Sequence, residues 1–532
     1  MASDREEVEW QFDAPDLSAV ATWLRQHGLE DNWRLHEAEP QEITDTYLDT
    51  LDWHFFRAGY VLRTRCVAGQ PTEITLKSFG TREAGLRSRR EISATLTEPA
   101  GDPSTWLTRA PGRVGQYVKA ILGRDKQPIQ PLFSVYTRRM RFSLRAGQSD
   151  LAEIALDKIS VTQSNCAGSA ALARVEVELL TDSAAEDVSR FVSRMRAACS
   201  LRPATRSKFE LGLRAQGLKP IFNPDLGTPA MAAQVGKDET SATLAFAVLR
   251  EHFARLLTLE PALRLGEDPK AIHRARVAIR RLRSALSLFR AHLPADAQRY
   301  KEALRWIAGL LGEVRDLDVQ REQLLAWQSS CAFPWAEDLA PVHTWLARQR
   351  ARAQASLLRG LKTTRYQHFA SAFSRFLREG ETAAGEAGHA PVRQALPRLI
   401  RKRHAKLRKL GDALTLNAPP EDYHALRIRC KRLRYALDMV AHLFGHRART
   451  YLARCAALQD LLGELQDAHV VACLARAWAT GAKPALPPTA IFALGALAHY
   501  HTQRIDALRA QFPARYQGIK ARRLLHSALT KR

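Results

Sequence analysis

The sequence predicts an α+β protein of two domains, an antiparallel β domain followed by an all-helical one, and three observations carry that reading. Up to about residue 214 the chain runs as short segments that alternate polar with apolar residues, and beyond about residue 240 it is rich in Ala, Leu and Arg at a helical period. A basic helix is written twice, 151 residues apart. The charge is divided as sharply: 29 Lys and Arg among residues 1–214 are balanced by 29 Asp and Glu, so the entire surplus of +25 falls in the helical part.

The strands alternate in an unusual way. Glu7-Val8-Glu9-Trp10-Gln11-Phe12 places Glu7, Glu9 and Gln11 on one face, and Leu62-Arg63-Thr64-Arg65, Glu73-Ile74-Thr75-Leu76-Lys77, Arg139-Met140-Arg141-Phe142, Glu153-Ile154-Ala155-Leu156-Asp157 and Val175-Glu176-Val177-Glu178-Leu179 repeat the pattern. Such strands ordinarily turn the charged face to water. Acidic rows beside basic rows allow another arrangement, in which the sheet closes with its charges inward and helices at residues 16–27 and 185–198 cover the apolar outside. Buried charge is costly without a partner, so the inward arrangement points to a cation bridging to an anion. Glu7, Glu9, Glu176 and Glu178 supply hard oxygen ligands for Mg²⁺ or Mn²⁺, and Arg63, Arg65, Lys77, Arg139 and Arg141 suit phosphate oxygens. For any one acid, a structural ion pair is the alternative.

Between residues 217 and 237 the run Lys219-Pro220-Ile221-Phe222-Asn223-Pro224-Asp225-Leu226-Gly227-Thr228-Pro229 is too rich in Pro, Gly and Asn for a regular element. The expected division is a first domain over 5–213, a linker over 214–239 and a helical domain over 240–525.

In the helical domain, the segment from His273 (His-Arg-Ala-Arg-Val-Ala-Ile-Arg-Arg-Leu-Arg) returns from His424 as His-Ala-Leu-Arg-Ile-Arg-Cys-Lys-Arg-Leu-Arg. Leu311-Gly312-Glu313-Val314-Arg315-Asp316 returns at the same offset as Leu462-Gly463-Glu464-Leu465-Gln466-Asp467. Two patterns in one register argue for a duplicated unit. At about 100° per residue, His273, Arg276, Arg280 and Arg283 form one stripe, and His424, Arg427, Lys431 and Arg434 another. Like charges stacked along a helix repel, so the repeated stripe suggests an anionic ligand. A solvated charged face is the plainer alternative.

The start of the chain lacks an apolar signal core and no segment offers about 18 uninterrupted apolar residues, which points to a cytoplasmic protein without membrane association. Seven scattered cysteines, with no C-x-x-C pair, suit a reducing compartment and supply no zinc framework. Besides Tyr435 the stripes carry few aromatics, which argues against nucleic acid as the main partner.

Glu7-x-Glu9, Tyr47-Leu48-Asp49-Thr50, Gly59-Tyr60-Val61-Leu62-Arg63-Thr64-Arg65, Leu76-Lys77, Arg90-Glu91, Glu153-x-Ala155-Leu156-Asp157, Glu176-x-Glu178 and Ser207-Lys208 resemble, in order, the CYTH domain of the triphosphate tunnel metalloenzymes. The two basic helices, together with Arg315-Asp316-Leu317-Asp318-Val319, resemble the CHAD domain. The first resemblance implies an eight-stranded antiparallel tunnel that binds a triphosphate end-on with divalent metal and splits inorganic triphosphate to pyrophosphate and phosphate. It implies Glu7, Glu9, Lys77, Arg63 and Arg65 as catalytic, Arg139, Arg141 and Lys208 as further phosphate contacts, and Asp157 beside Glu7, Glu9, Glu176 and Glu178 as a metal group. The second implies two related four-helix halves whose basic surface binds long-chain polyphosphate through the two stripes, with polyphosphate granules as a place of association.

The chain departs from the CYTH pattern twice. Where the signature reads E-x-E-x-K this sequence has Gln11, and where a late strand commonly reads E-x-E-x-E it begins with Arg174. Both changes support an alternative function, a polyphosphate-binding or scaffold protein with a weak or inactive tunnel. Nucleoside triphosphates are a further substrate class that the sequence leaves open.

Overall fold

A computed structural model of the chain describes residues 3–27, 33–96, 101–123, 127–162, 169–227, 232–330, 336–481 and 486–530. It divides into two compact units, one of Met1–Phe222 with Glu260–Leu265 and the other of Asn223–Leu259 with Gly266–Arg532. The unit boundary falls in the Pro- and Asn-rich run, whose residues 219–227 form no regular element; residues 228–231 lie outside the described part, as do Cys166 and Cys331.

The first unit contains strands β1 (Ser3–Asp13), β2 (Trp33–Glu37), β3 (Gln41–Asp49), β4 (Tyr60–Val67), β5 (Thr72–Ser78), β6 (Thr81–Glu83), β7 (Leu86–Leu96), β8 (Gln130–Ala146), β9 (Ser149–Thr162), β10 (Ser169–Leu179) and β11 (Arg202–Pro203). Eight of them close on themselves in the order β1-β10-β9-β8-β3-β4-β5-β7 and back to β1, every pairing antiparallel. The short β2, β6 and β11 flank β8, β7 and β1. Closure leaves the eight strands without a free edge.

The barrel is inverted in its chemistry. Helices α1 (Leu17–His27) and α5 (Ala185–Ala198) pack Val20, Leu24, Val188, Phe191 and Met195 against the outward Phe142, Ile154, Val175 and Val177. Helices α2 (His54–Ala58), α3 (Pro103–Thr108) and α4 (Gly112–Leu122) border the opposite side, where Val114, Val118 and Ile121 meet Leu62, Ile74, Leu76 and Ile92. Each such side chain contributes about 1.5–3 kcal/mol on burial, so the outer apolar layer drives folding and the inner face is left to charge. Helix α6 (Lys208–Ala215) packs Phe209 and Leu213 against Tyr47, Phe133 and Val135. A Cβ at Gly212 would lie 1.9 Å from the Phe133 ring, so the helix can lie there only with glycine at that position.

The second unit holds α7 (Ser241–Leu265, its last residues in the first unit), α8 (Pro269–Leu288), α9 (Tyr300–Ser330), α10 (Ala340–Leu361), α11 (Thr364–Glu379), α12 (Val392–Gly411), α13 (Pro420–Asp438), α14 (Ala441–Thr480), α15 (Pro488–Lys520) and α16 (Arg522–Leu529). The offset of 151 carries the first residues of α7 and α8 onto those of α12 and α13, and carries α9 and α10 into α14 and α15. Ser241 N–H donates to the Ala390 carbonyl and Val392 N–H to the Glu239 carbonyl, both at 2.9 Å, around an antiparallel bridge between Thr240 and Pro391. The shift of 151 exchanges these two bonds, as a local two-fold axis requires. In one core cluster Trp327 and Trp478, Leu346 and Leu497, and Val342 and Ala493 are likewise counterparts.

Cys430 is fully buried, its thiol against the Cys455 carbonyl, in keeping with a packing role. Among the described residues no helix is long and apolar enough to cross a membrane.

Candidate functional site

The barrel encloses a cavity of about 660 Å³ lined by Glu7, Glu9, Gln11, Arg63, Arg65, Lys77, Arg139, Glu176, Glu178 and Lys208, among others. Strand parity puts them there: on β1 the inward Glu7, Glu9 and Gln11 alternate with residues of the outer layer, Phe12 among them. Lys208 arrives differently, on the first turn of α6. Ser207 caps that helix by accepting from Glu210 N–H, and the Glu210 carboxylate accepts from Ser207 N–H in return.

Inside, acids and bases are interlocked. Lys77 Nζ donates to both oxygens of Glu7 at 2.8 and 3.0 Å and also pairs with Glu91. Arg89 spans Glu7 at 2.8 Å and Glu9 at 2.5 Å. Across the tunnel Arg139 forks onto Asp157, both bonds at 2.7 Å, and reaches Glu176 at 2.7 Å, while Lys208 bonds Asp157 at 2.5 Å and Glu176 at 3.2 Å. Arg63 and Arg65 share Asp45 at 3.4 and 2.8 Å, and Arg5 holds Glu178 at 2.6 Å. Burial alone would raise these carboxyls, but Lys77 and Arg89 hold Glu7, and Lys208 and Arg139 hold Glu176, far below the usual range. Arg141 shares the parity of Arg139, yet it is partly exposed, 3.9 Å from Glu153, and not among the cavity-lining residues. Asp157 is fully buried beneath the lining rather than in it.

Two carboxyls are left under strain. Burial, with Glu7 and Glu176 adding to it against the pull of Arg89, raises Glu9. Burial and Glu7 push Glu178 up to about 7 despite Arg5. Glu9 stands directly across from Glu178, and Glu178 across from Glu153, so three inward carboxylates are successive neighbours around the wall. Gln11 lies among them, its amide donating to Glu9 at 2.8 Å and Glu176 at 3.3 Å.

The helical unit carries a groove of about 390 Å³ between α8 and α13, lined by Arg280, Arg283, Lys301, Arg305, Arg403, Lys431 and Arg432 over Tyr435. Among the described residues no acidic one lines it. The two stripes reach it only in part. Arg276 instead donates to the Gly312 carbonyl and Asp316, each at 3.0 Å, and its counterpart Arg427 lies 3.8 Å from Asp467 beside Gly463. The aspartate of the repeated Leu-Gly-Glu motif thus holds the arginine of the preceding basic helix in both halves, close over the motif's glycine. Arg434 bonds Gln459 at 2.7 Å, His424 bonds Gln466 at 2.9 Å, and His273 is exposed, none of them lining the groove. The expected symmetric channel is therefore corrected to a one-sided groove: α9 and α12 contribute cations, while their counterparts α14 and α7 contribute none.

Family models place a CYTH domain over residues 16–208 and a CHAD domain over residues 247–476. The chain is a CYTH–CHAD protein. Among solved structures it is similar to the CHAD domain from the plant Ricinus communis (24% identity over 57% of this chain and 96% of that one, TM-score 0.46). It is also similar to PptA from Streptomyces chartreusis (21%, 52% and 99%, TM-score 0.44). A third, HpAC1 from Hippeastrum, described as having a dominant triphosphatase activity, matches at 16% identity over 41% of this chain and 100% of that one, TM-score 0.31. No curated protein matches the chain. The assignment rests on the two domain models and the closed eight-stranded barrel followed by helices.

CYTH tunnel enzymes are generally metal-dependent, and the CYTH and CHAD families relate to triphosphate and polyphosphate binding. The CYTH tunnel here has the donor chemistry for a hard cation in Glu9, Glu178 and Glu153, the first two pushed up by burial and by neighbouring carboxylates. As the side chains stand, no three acidic, histidine or cysteine groups converge on one point among the described residues, because the tunnel's carboxylates turn to arginine or lysine. The donors fit a divalent ion; their present partners must yield to it.

Sequence reasoning missed Asp45, Arg87 and Arg89, and it quoted Glu91 and Glu153 within motifs without giving them a role. The resemblance singled out Arg90, but Arg90 faces outward to Asp4 at 2.8 Å, and Arg89 and Glu91 face the tunnel. In the run Arg87-Ser88-Arg89-Arg90-Glu91 both parities carry charge, so alternation alone does not choose; pairing Glu7 with Arg89 across β1 and β7 does. Asp49 of the Tyr47-Leu48-Asp49-Thr50 segment serves the fold, its carboxylate accepting from the N–H groups of Thr50, Phe55 and Phe56 at the start of α2. Arg174, where the late strand departs from the pattern, is fully buried and donates to Asp13 at 2.8 Å, away from the tunnel lining.

Proposed function

We propose that the CYTH unit is a metal-dependent hydrolase of inorganic triphosphate, releasing pyrophosphate and phosphate, and that the CHAD unit binds long-chain polyphosphate. The observation that supports the first part is the closed tunnel whose inner wall carries both cations suited to phosphate oxygens and carboxylates suited to a hard metal ion. The second part is supported by the groove of seven cations with no lining acid.

Bound Mg²⁺ or Mn²⁺ would polarise the terminal phosphoryl group and lower the charge that an attacking water meets. Glu9 and Glu178 would hold it, with Glu7 joining when Lys77 turns to phosphate and Glu176 and Asp157 kept in place by Arg139 and Lys208. Arg63, Arg65, Lys77, Arg139 and Lys208 would then bind phosphate oxygens, and their positions are already set by the carboxylates they hold. Such catalysis is positioning and electrostatics in a walled site. Arg141, at the margin, would contribute least. A cytoplasmic protein of this kind would collect on polyphosphate granules through its groove.

One observation favours a second reading, a polyphosphate-binding protein with a weak tunnel. Gln11 bridges Glu9 and Glu176, and Lys77, Arg89 and Arg139 hold Glu7, Glu9 and Glu176, so substrate and metal must displace a satisfied network. The test is turnover of inorganic triphosphate, ATP and long-chain polyphosphate side by side, with Mg²⁺, with Mn²⁺ and with chelator. Metal-dependent release of phosphate from triphosphate is expected; no turnover of any of the three selects the second reading.

A further inference from the structure

Among the described tunnel cations Arg87 stands apart in having two buried donors with no partner. Arg87 lies inward on β7, directly across from Glu9, and it lines the cavity at 8% exposure. Its Nε and Nη2 are buried without a hydrogen-bond partner, and it makes no ion pair among the described residues. Glu9, the acid opposite, is taken by Arg89. Burial, with Arg89 and Arg82 nearby, pulls the Arg87 guanidinium down to about 10. A buried, unpaired arginine is among the costlier arrangements a fold can hold, and it is relieved when an anion arrives. The same corner carries a second orphan: Gln11 spends its amide nitrogen on Glu9 and Glu176, and its Oε1 is buried without a partner. Gln11 and Arg87 are close in the wall, since Gln11 N–H bonds the carbonyl of Gly85, two residues before Arg87.

We infer that Arg87 is a phosphate-binding residue of the tunnel, supplying at the β1–β7 wall the positive charge that the neutral Gln11 beside it does not. This rests on the tunnel's binding a phosphate chain, and it adds a residue whose free-state orphan donors are reserved for that ligand. The tunnel cations that hold carboxylates must leave them to bind phosphate, and Arg82 is engaged by the Ala204 carbonyl; Arg87 need leave nothing, so its contribution to affinity is undiminished by exchange.

The experiment uses the full chain with Arg280→Ala/Lys431→Ala in the helical groove, so that triphosphate uptake reports the tunnel. Sodium tripolyphosphate is titrated calorimetrically, with and without Mg²⁺, into this background and into the same background carrying Arg87→Met, Arg87→Lys, or Arg87→Met with Gln11→Lys. Arg87→Met should weaken binding at least tenfold, Arg87→Lys should stay within about threefold, and Gln11→Lys should restore most of the loss, because charge at that wall is what is missing. Without ligand, Arg87→Met should melt no lower than its background, since it removes an unpaired buried charge. Equal affinity of Arg87→Met and background, or a ligand-free melting point lowered as far as by loss of a paired tunnel arginine, overturns the inference. If the background chain itself takes up no triphosphate, the tunnel reading fails and takes this inference with it.

Discussion

The tunnel and the groove both gather Lys and Arg side chains, yet they treat charge in opposite ways. In the tunnel the cations other than Arg87 and Arg82 rest on carboxylates, so the site is largely balanced within itself. In the groove seven Lys and Arg side chains gather with no lining acid to offset them. A balanced site gives little long-range attraction and admits a ligand only by exchanging internal pairs for better ones, which selects for shape and for metal. An unbalanced site projects its field outward and accepts any long polyanion, with affinity that falls as salt rises.

The largest expected difference is in stability. Arg139→Met would leave Lys208 as the one cation for both Asp157 and Glu176, and breaking a buried pair costs about 3–5 kcal/mol, so a clear drop in melting temperature should accompany loss of triphosphate turnover. Arg280→Met in the groove removes a half-buried cation that sits among other cations and should leave the melting temperature unchanged or raise it. A groove variant that melts as low as the tunnel variant breaks the comparison.

Next in size is polyphosphate affinity. Arg280→Ala/Lys431→Ala should weaken binding of long-chain polyphosphate by ten- to a hundredfold at physiological salt and flatten its salt dependence, by analogy with counterion release from nucleic acids. Arg276→Ala/Arg427→Ala removes two arginines already engaged by Asp316 and Asp467, and should weaken it only a few-fold. Equal losses in the two double variants, read by filter binding or calorimetry, would mean that the stripes act as a diffuse field and not through the groove.

The smallest effect concerns pH. Burial, then Arg427 and Arg280 against the opposing Asp467, pulls Lys431 down to about 8. A phosphate chain favours the charged form, so binding takes up a proton, and affinity should decline several-fold as pH rises from 7 to 9. Arg stays charged over that range, so Lys431→Arg should flatten the decline. A decline that persists unaltered in Lys431→Arg assigns the pH dependence to another group.

What the sequence made legible follows from period. Two-residue alternation in Glu7-Val8-Glu9 and Val175-Glu176-Val177-Glu178 is so regular that one closure of the sheet places all four acids together, and the apolar parity names the outer core at the same time. Asp45 escaped notice because β3, reading Gln-Glu-Ile-Thr-Asp-Thr-Tyr-Leu-Asp, lacks clean alternation, although it is the acid that Arg63 and Arg65 share. In the helices the repeat revealed α8 and α13 but concealed Lys301, Arg305 and Arg403, whose counterparts at the offset of 151 are Leu452, Ala456 and His252. Residues that break a repeat are invisible to a search for repetition. Ion pairing was hidden for another reason: which base takes which acid depends on cross-strand register, and the order of strands around the barrel decides that.

The bridge between Thr240 and Pro391 has a consequence for how the helical unit could diversify. Two separate copies of one half could form the same pair of bonds and the same Trp327 and Trp478 core, but any side chain placed on one copy would then be obliged to recur on the other. Joined in one polypeptide, the halves associate without dependence on concentration and are released from that obligation. Arg305 and Arg403 can line the groove while the equivalent positions hold Ala456 and the buried His252, which do not line it: the groove has a polarity that strict two-fold symmetry would forbid.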